Sequence, residues 1–174
     1  VYIIQEGIGK YDPKYTIGIS AINLMTGDSE VYEIYDTDHC SSLEESANFI
    51  KYVNPAEIIV SYDDSLSANM DDILSGLDII DFAAIHRKSP VDQKFLKIAY
   101  QDEFMAKVFP QTGNVSSIEH IGLEFNQQSL ASYIILLDFA YQHDERVLDK
   151  LNTPRVRNGT QYMQMINNAV NQLN

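Results

Sequence analysis

The sequence is poor in positive charge, has a single cysteine and lacks tryptophan. Its 12 Lys and Arg stand against 25 Asp and Glu, a formal net charge of -13 over 174 residues. Such a surface repels phosphate, whereas nucleic-acid binding draws much of its affinity from a basic patch that neutralises phosphates. The densest basic run, Arg87-Lys88 with Lys94 and Lys97 nearby, is too sparse for that role. The chain alone is therefore expected to bind DNA weakly or not at all. With Cys40 as the one cysteine, an internal disulfide is excluded, which fits a reducing compartment. No uninterrupted apolar run approaches the roughly 20 residues that span a bilayer. The opening Val1-Tyr2-Ile3-Ile4-Gln5-Glu6 reads as a strand and lacks the features of a signal peptide. It has no initiator Met, which fits a piece cut from a longer chain or a processed product. Gly7-Ile8-Gly9-Lys10 is too short for a phosphate loop and has no following hydroxyl.

What is present is an alternation of strand and helix signals. Thr16 to Leu24 alternates Ile or Leu with small and polar residues, a strand of period two. Met25-Thr26-Gly27-Asp28 reads as a hairpin turn and Val31 to Tyr35 as the returning strand, with an earlier strand at Tyr2 to Gln5. Ser41 or Ser42 caps a helix with Glu44 and Glu45 in its first turn, where the helix dipole favours negative charge. Asn54-Pro55 ends it. Glu57 to Ser61 is a short strand buried on both faces. Residues 62–75 read as loop and weak helix, and Ile79 to Ile85 as a further strand. Ser89-Pro90 is predicted to start a helix that carries Val91, Phe95, Ile98, Phe104, Met105 and Val108. Asn126 to His143 is the most apolar helix. Thr153 to Val156 looks extended, and Gly159 to Asn174 amphipathic or helical. The order predicts an α/β fold with an RNase H-like mixed sheet flanked by helices.

Chemistry-bearing residues are scattered. An RNase H-like nuclease needs several carboxylates to hold two metal ions. The strand from Thr16 offers Gly18, Ser20 and Asn23 where the usual first acid would stand, and Asp81, Asp92 and Asp138 qualify by type alone. A sheet that kept the fold without the metal site is the better reading. Asp63, Asp64, Asp71 and Asp72 lack calcium-loop spacing and read as a solvated acidic loop. His39-Cys40, His86, His120 and His143 show no metal-ligand spacing. Cys40 has no His–acid set around it. Arg155 and Arg157 could touch a phosphate in a larger complex; as isolated arginines they are more often surface charges.

Three ordered segments resemble the MutS family of DNA mismatch repair proteins. They are Gly18 to Asp28 with its Thr26-Gly27 turn, Asn54-Pro55-Ala56-Glu57-Ile58-Ile59, and Leu130 to Tyr141 followed by Leu151 to Val156 and Tyr162 to Asn174. Asn167, Val170 and Gln172-Leu173-Asn174 depart from the family pattern and mark a divergent branch. The resemblance implies a connector domain over residues 1–122 and, over 123–174, a helical segment leading into an all-α core. It implies no catalytic, cofactor or metal site here. The mismatch-reading domain and the ATPase, with its ATP and Mg, would belong to absent parts of the parent, a DNA-dependent ATPase that meets mismatched DNA as a full-length dimer. The partners implied are the parent's other domains and a MutL-type protein, docking near Gln101, Asp102 and Glu103. The compartment implied is cytoplasmic or another that contains DNA. Two other readings stay open: a stand-alone RNase H-like nuclease or nucleotide-binding α/β domain, and an acidic protein-interaction module.

Overall fold

Period-two alternation builds the first half of the structure, a computed structural model that describes residues 1–6, 14–37, 41–79, 85–110 and 113–157. β1 (Tyr2–Glu6), β2 (Lys14–Ile22) and β3 (Ser29–Tyr35) form an antiparallel meander. Successive side chains on a strand point to opposite faces. Tyr2 and Val31 therefore enter one core, while Ile3, Ile17, Ile19, Tyr32 and Ile34 enter the other. The turn between β2 and β3 falls at the expected place. Gly27 adopts φ +77°, a conformation that suits glycine. A Cβ there would also lie 2.0 Å from the Lys150 carbonyl oxygen. The loop after residue 150 thus grips this turn: Asn152 N–H donates to Gly27 O at 3.0 Å, and its side-chain amide donates to Asp28 Oδ1 at 2.9 Å.

α1 (Ser42–Val53) buries Ala47, Phe49 and Ile50 and ends at Asn54 in the left-handed conformation. β4 (Ile58–Tyr62) is buried throughout and pairs parallel with β1 and with β5 (Ile85–Pro90). A 3₁₀ turn at Asp64–Asn69 and α2 (Met70–Gly76) join α1 on one face of the sheet. α5 (Gln127–His143) covers the other, with α3 (Ile98–Val108) and α4 (Ser117–His120) packed against it. β6 (Arg155–Arg157) completes a six-stranded mixed sheet of order β5-β4-β1-β2-β3-β6. The chain is an α/β fold with helices on both faces.

Two predicted elements fall differently. The strand expected over Ile79 to Ile85 is observed from Ile85 to Pro90, and residues 80–84 lie outside the described residues. Ser89-Pro90 closes that strand, paired with Ser61 and Tyr62, and opens no helix. A proline is tolerated at the end of an edge strand because no ladder hydrogen bond is lost there. The helix begins at Ile98, after a 3₁₀ turn at Gln93–Leu96 capped by Asp92.

The segment from residue 123, expected to lead towards a helical domain, turns back onto the sheet. Leu123 is fully buried, and Ser129 to Ile135 are buried in succession. A helix without a wet face needs cover all round, and α5 finds it between β2 and α3. A Cβ on Gly18 would lie 2.0 Å from the Gln128 carbonyl oxygen, so the backbones of β2 and α5 touch there. Residues 158–174, the rest of the expected helical lead-in, lie outside the described residues. Among the described residues no helix is long and apolar enough to cross a membrane.

Candidate functional site

The docking residues expected on α3 divide between its inner and outer faces. Gln101 is buried, and its Nε2 donates to the Phe95 carbonyl at 2.8 Å. Its role in this structure is to tie α3 to the preceding turn. Asp102 and Glu103 are exposed, and Glu103 pairs with Lys107 at 2.8 Å across one helical turn. The Lys107 ammonium holds the Glu103 carboxyl below its usual range. With Ile98, Ala99 and Ala106 they form an outward face of small, apolar and charged residues. Ile98 is 74% exposed.

Behind that face, Tyr100 stacks on Phe104 and meets Phe95 edge-on, and Lys94 Nζ sits 4.5 Å from the Phe95 ring. Tyr100 donates to Asp138 on α5 at 3.3 Å. Burial, reinforced by Asp138, pushes the Tyr100 hydroxyl up to about 12, so it keeps its proton as a donor.

Neither arginine of β6 stands isolated. Arg155 reaches Glu30 at 3.4 Å. The Arg157 guanidinium lies 5.0 to 5.8 Å over the rings of Tyr52, Phe49 and Tyr32, joining β6 to α1 by cation–π contact.

The carboxylates considered for metal chemistry are occupied locally. Asp92 caps the 3₁₀ turn through Lys94 N–H at 2.9 Å, Asp138 holds Tyr100 and Gln142, and Asp81 lies outside the described residues. The strand examined for a first acid, β2, carries none, and the one acid of β1, Glu6, stands at the end of that strand. Asp63 caps the turn after β4, accepting from the Ser65 hydroxyl at 2.6 Å and the Ser65 N–H at 3.0 Å; those bonds hold its carboxyl below the usual range. Asp71 and Asp72 sit in the first turn of α2. His39 and Cys40 lie outside the described residues, as does the side chain of His86, while His143 Nδ1 contacts Phe139 O at 2.8 Å. Among the described residues no three His, Cys, Asp or Glu groups are placed to share a metal.

One feature escaped sequence reasoning. A cavity of about 850 Å³ opens at the end of the sheet where β1 begins. Its walls are the last residues of β2 (Ile19 to Ile22) and Glu57 with the start of β4 (Ile58 and Ile59), with Ile50 and Val53 of α1 and Ile135 and Phe139 of α5 on either side. The Val1 amine sits in it, donating to Ile59 O at 2.8 Å, and loss of solvation lowers its pKa from 8.0 to about 5. Hydrophobic pattern marks each wall as strand or helix, but only strand register reveals the gap between them.

No protein-family model matches the chain. Its sequence is similar to a DNA mismatch repair MutS homologue of Acanthamoeba polyphaga mimivirus, 24% identical over 180 aligned positions. The alignment takes in 91% of this chain but only 16% of that protein, so the chain spans about one sixth of its relative's length. The likeness is distant and covers most of this chain.

Proposed function

We propose that this chain is the non-catalytic connector region of a MutS-type protein. In this reading it links a mismatch-binding domain, a helical core and an ATPase, and passes the state of bound DNA and nucleotide between them. The observation that carries it is the similarity over 91% of the chain to a MutS homologue several times longer. Coupling requires a body that moves as a unit. The grip of Asn152 on the β2–β3 turn and the parallel β6 tie the end of the described chain into the sheet. The exposed Asp102–Glu103 face of α3 is the surface assigned to a MutL-type partner, with Gln101 supporting it from inside.

The test uses the longer protein and the isolated chain side by side. The longer protein is expected to hydrolyse ATP faster with a mismatched duplex, and the isolated chain neither to hydrolyse ATP nor to retain the duplex. A MutL-type protein is expected to bind the isolated chain, with D102K/E103K weakening binding at least tenfold at an unchanged melting temperature. Divalent-metal-dependent cleavage of nucleic acid by the isolated chain would overturn the connector reading in favour of a nuclease. Binding that ignores D102K/E103K would remove the α3 face from it.

A further inference from the structure

The three central strands do not begin together. β1 pairs with β2 from Tyr2↔Gly18 and with β4 from Tyr2↔Ser61. β2 runs on to Ile22 and β4 starts at Ile58, so both continue past the beginning of β1. Ile19 to Ile22 pair with β3 on their far side, and Ile58 to Val60 with β5. On the edges that face each other, no strand among the described residues pairs with them beyond Val1. The two edges stand two strand spacings apart, about 10 Å, the width that one inserted strand fills. Val1 stands opposite Ile19, so the length left open is three residues of β2, Ser20 to Ile22, roughly 10 Å. This slot is the 850 Å³ cavity, with apolar residues of α1 on one side and of α5 on the other.

We propose that the slot receives an extended apolar run of about three residues, collinear with β1, and that the polypeptide immediately ahead of Val1 in the longer protein supplies it. The ladder already points into the slot: Val1 N–H donates to Ile59 O and Ser61 N–H to Val1 O, both at 2.8 Å. The next residues back would continue that parallel ladder on β4 and an antiparallel one on β2, satisfying two rows of backbone groups at once. Side-chain alternation is set by β1. Val1 and Ile3 pack on the α1 side and Tyr2 on the α5 side. The residue before Val1 would therefore face Ile135 and Phe139, and the one before that Ile50 and Val53. Both are expected to be apolar.

The same geometry argues against other occupants. A separate peptide could not hold this register, because the strand spacing puts the preceding carbonyl carbon at bonding distance from the Val1 nitrogen, and it would have to slip out of the ladder. A second copy would bring another chain of net charge -13 to a rim that holds Asp28, Glu30, Glu57 and Asp144. The relative's far greater length makes a continuous chain the economical source. The inference does not rest on the connector reading, since a strand ahead of β1 would complete this sheet whatever the parent does.

The test extends the 174-residue chain at its start, once with the four residues that precede it in its parent and once with Gly-Ser-Gly-Ser. Amide exchange is followed at Ile19 to Ile22 and at Glu57 to Ile59. The parental extension is expected to slow exchange at these edges at least tenfold and to raise the melting temperature, and the Gly-Ser extension to do neither. A21F, which fills the slot from its own wall, is expected to cancel the protection gained by the extension. Equal protection by both extensions, none by either, or protection that survives A21F would each overturn the proposal. So would tight binding of a free parental tetrapeptide in place of any effect of the fused one.

Discussion

The two faces of the sheet are covered by different physical means. On one face α1 and α2 lay Phe49, Ile50, Ile73 and Leu74 on the strands, an arrangement of apolar volume with few directional bonds. Among the described polar atoms there, the Tyr32 hydroxyl donates to Glu45 of α1, whereas the Ser42 and Ser46 hydroxyls find no partner. On the other face α5 comes down to backbone contact at Gly18 and is pinned by hydroxyls. Ser132 meets Ser20 at 3.0 Å, Tyr133 meets Ser29 at 2.9 Å, and Ser129 N–H donates to Glu33 at 2.8 Å. Apolar volume fixes that a helix packs; directional bonds and a missing Cβ fix where along the strand it packs. The α5 face should therefore be intolerant of single-atom changes that the α1 face absorbs.

The sharpest break of that contrast compares two glycine-to-alanine changes. G18A drives a Cβ into the backbone of α5 and is expected to cost more than about 3 kcal/mol in urea unfolding, or to prevent folding. G76A on the other face meets only the flexible Leu43 side chain and is expected to stay within about 1 kcal/mol of the parent. Equal costs would erase the distinction between the faces.

β1 belongs to both faces, and its first residue supplies a pH test. With Val1 as a free terminus, the amine binds its proton near pH 8 when unfolded and near pH 5 when folded. Between those values the unfolded state holds the extra proton, so stability rises with pH and is lost as pH falls from 8 towards 5. The loss between pH 8 and 6.5 is expected to be about 2 kcal/mol, measured as a urea midpoint, and to vanish when the amine is acetylated. A pH slope unchanged by acetylation would assign it to other groups.

Y133F tests the pinning itself. It leaves the buried Ser29 hydroxyl without its partner and is expected to cost about 1.5 kcal/mol. The smallest effect has the opposite sign. S46A removes an unpartnered buried hydroxyl from the α1 face and is expected to gain up to about 1 kcal/mol. Destabilisation by S46A would show that this face, too, depends on directional bonds.

Local pattern revealed most of the strands and both long helices. Thr16 to Leu24 alternates because the large Ile17 and Ile19 face α1 while the small Gly18 and Ser20 admit α5 closely, and α5 announces itself by its unbroken apolar run. The errors lie where a residue type serves two purposes. Ser89-Pro90 has the chemistry of a helix start, yet it ends an edge strand. Gln101 looks like surface beside Asp102 and Glu103, yet its helical phase turns it towards Phe95. The return of α5 to the sheet depends on Gly18, whose meaning is visible only when residue 128 is beside it. The slot at the start of β1 is a matter of relative strand length, which no single strand records.

The contact between β2 and α5 also bears on how the chain is born. Ser20 and Ser132 bond across 112 positions of sequence. During synthesis the meander and the α1 face can assemble from residues already made, while the face destined for α5 must wait bare. Long-range closure of this kind is slow, and apolar surface exposed meanwhile invites aggregation. Nascent chains halted before residue 127 should therefore be the sticky ones, and the emergence of residues 127–143 from the ribosome the step at which solubility is won.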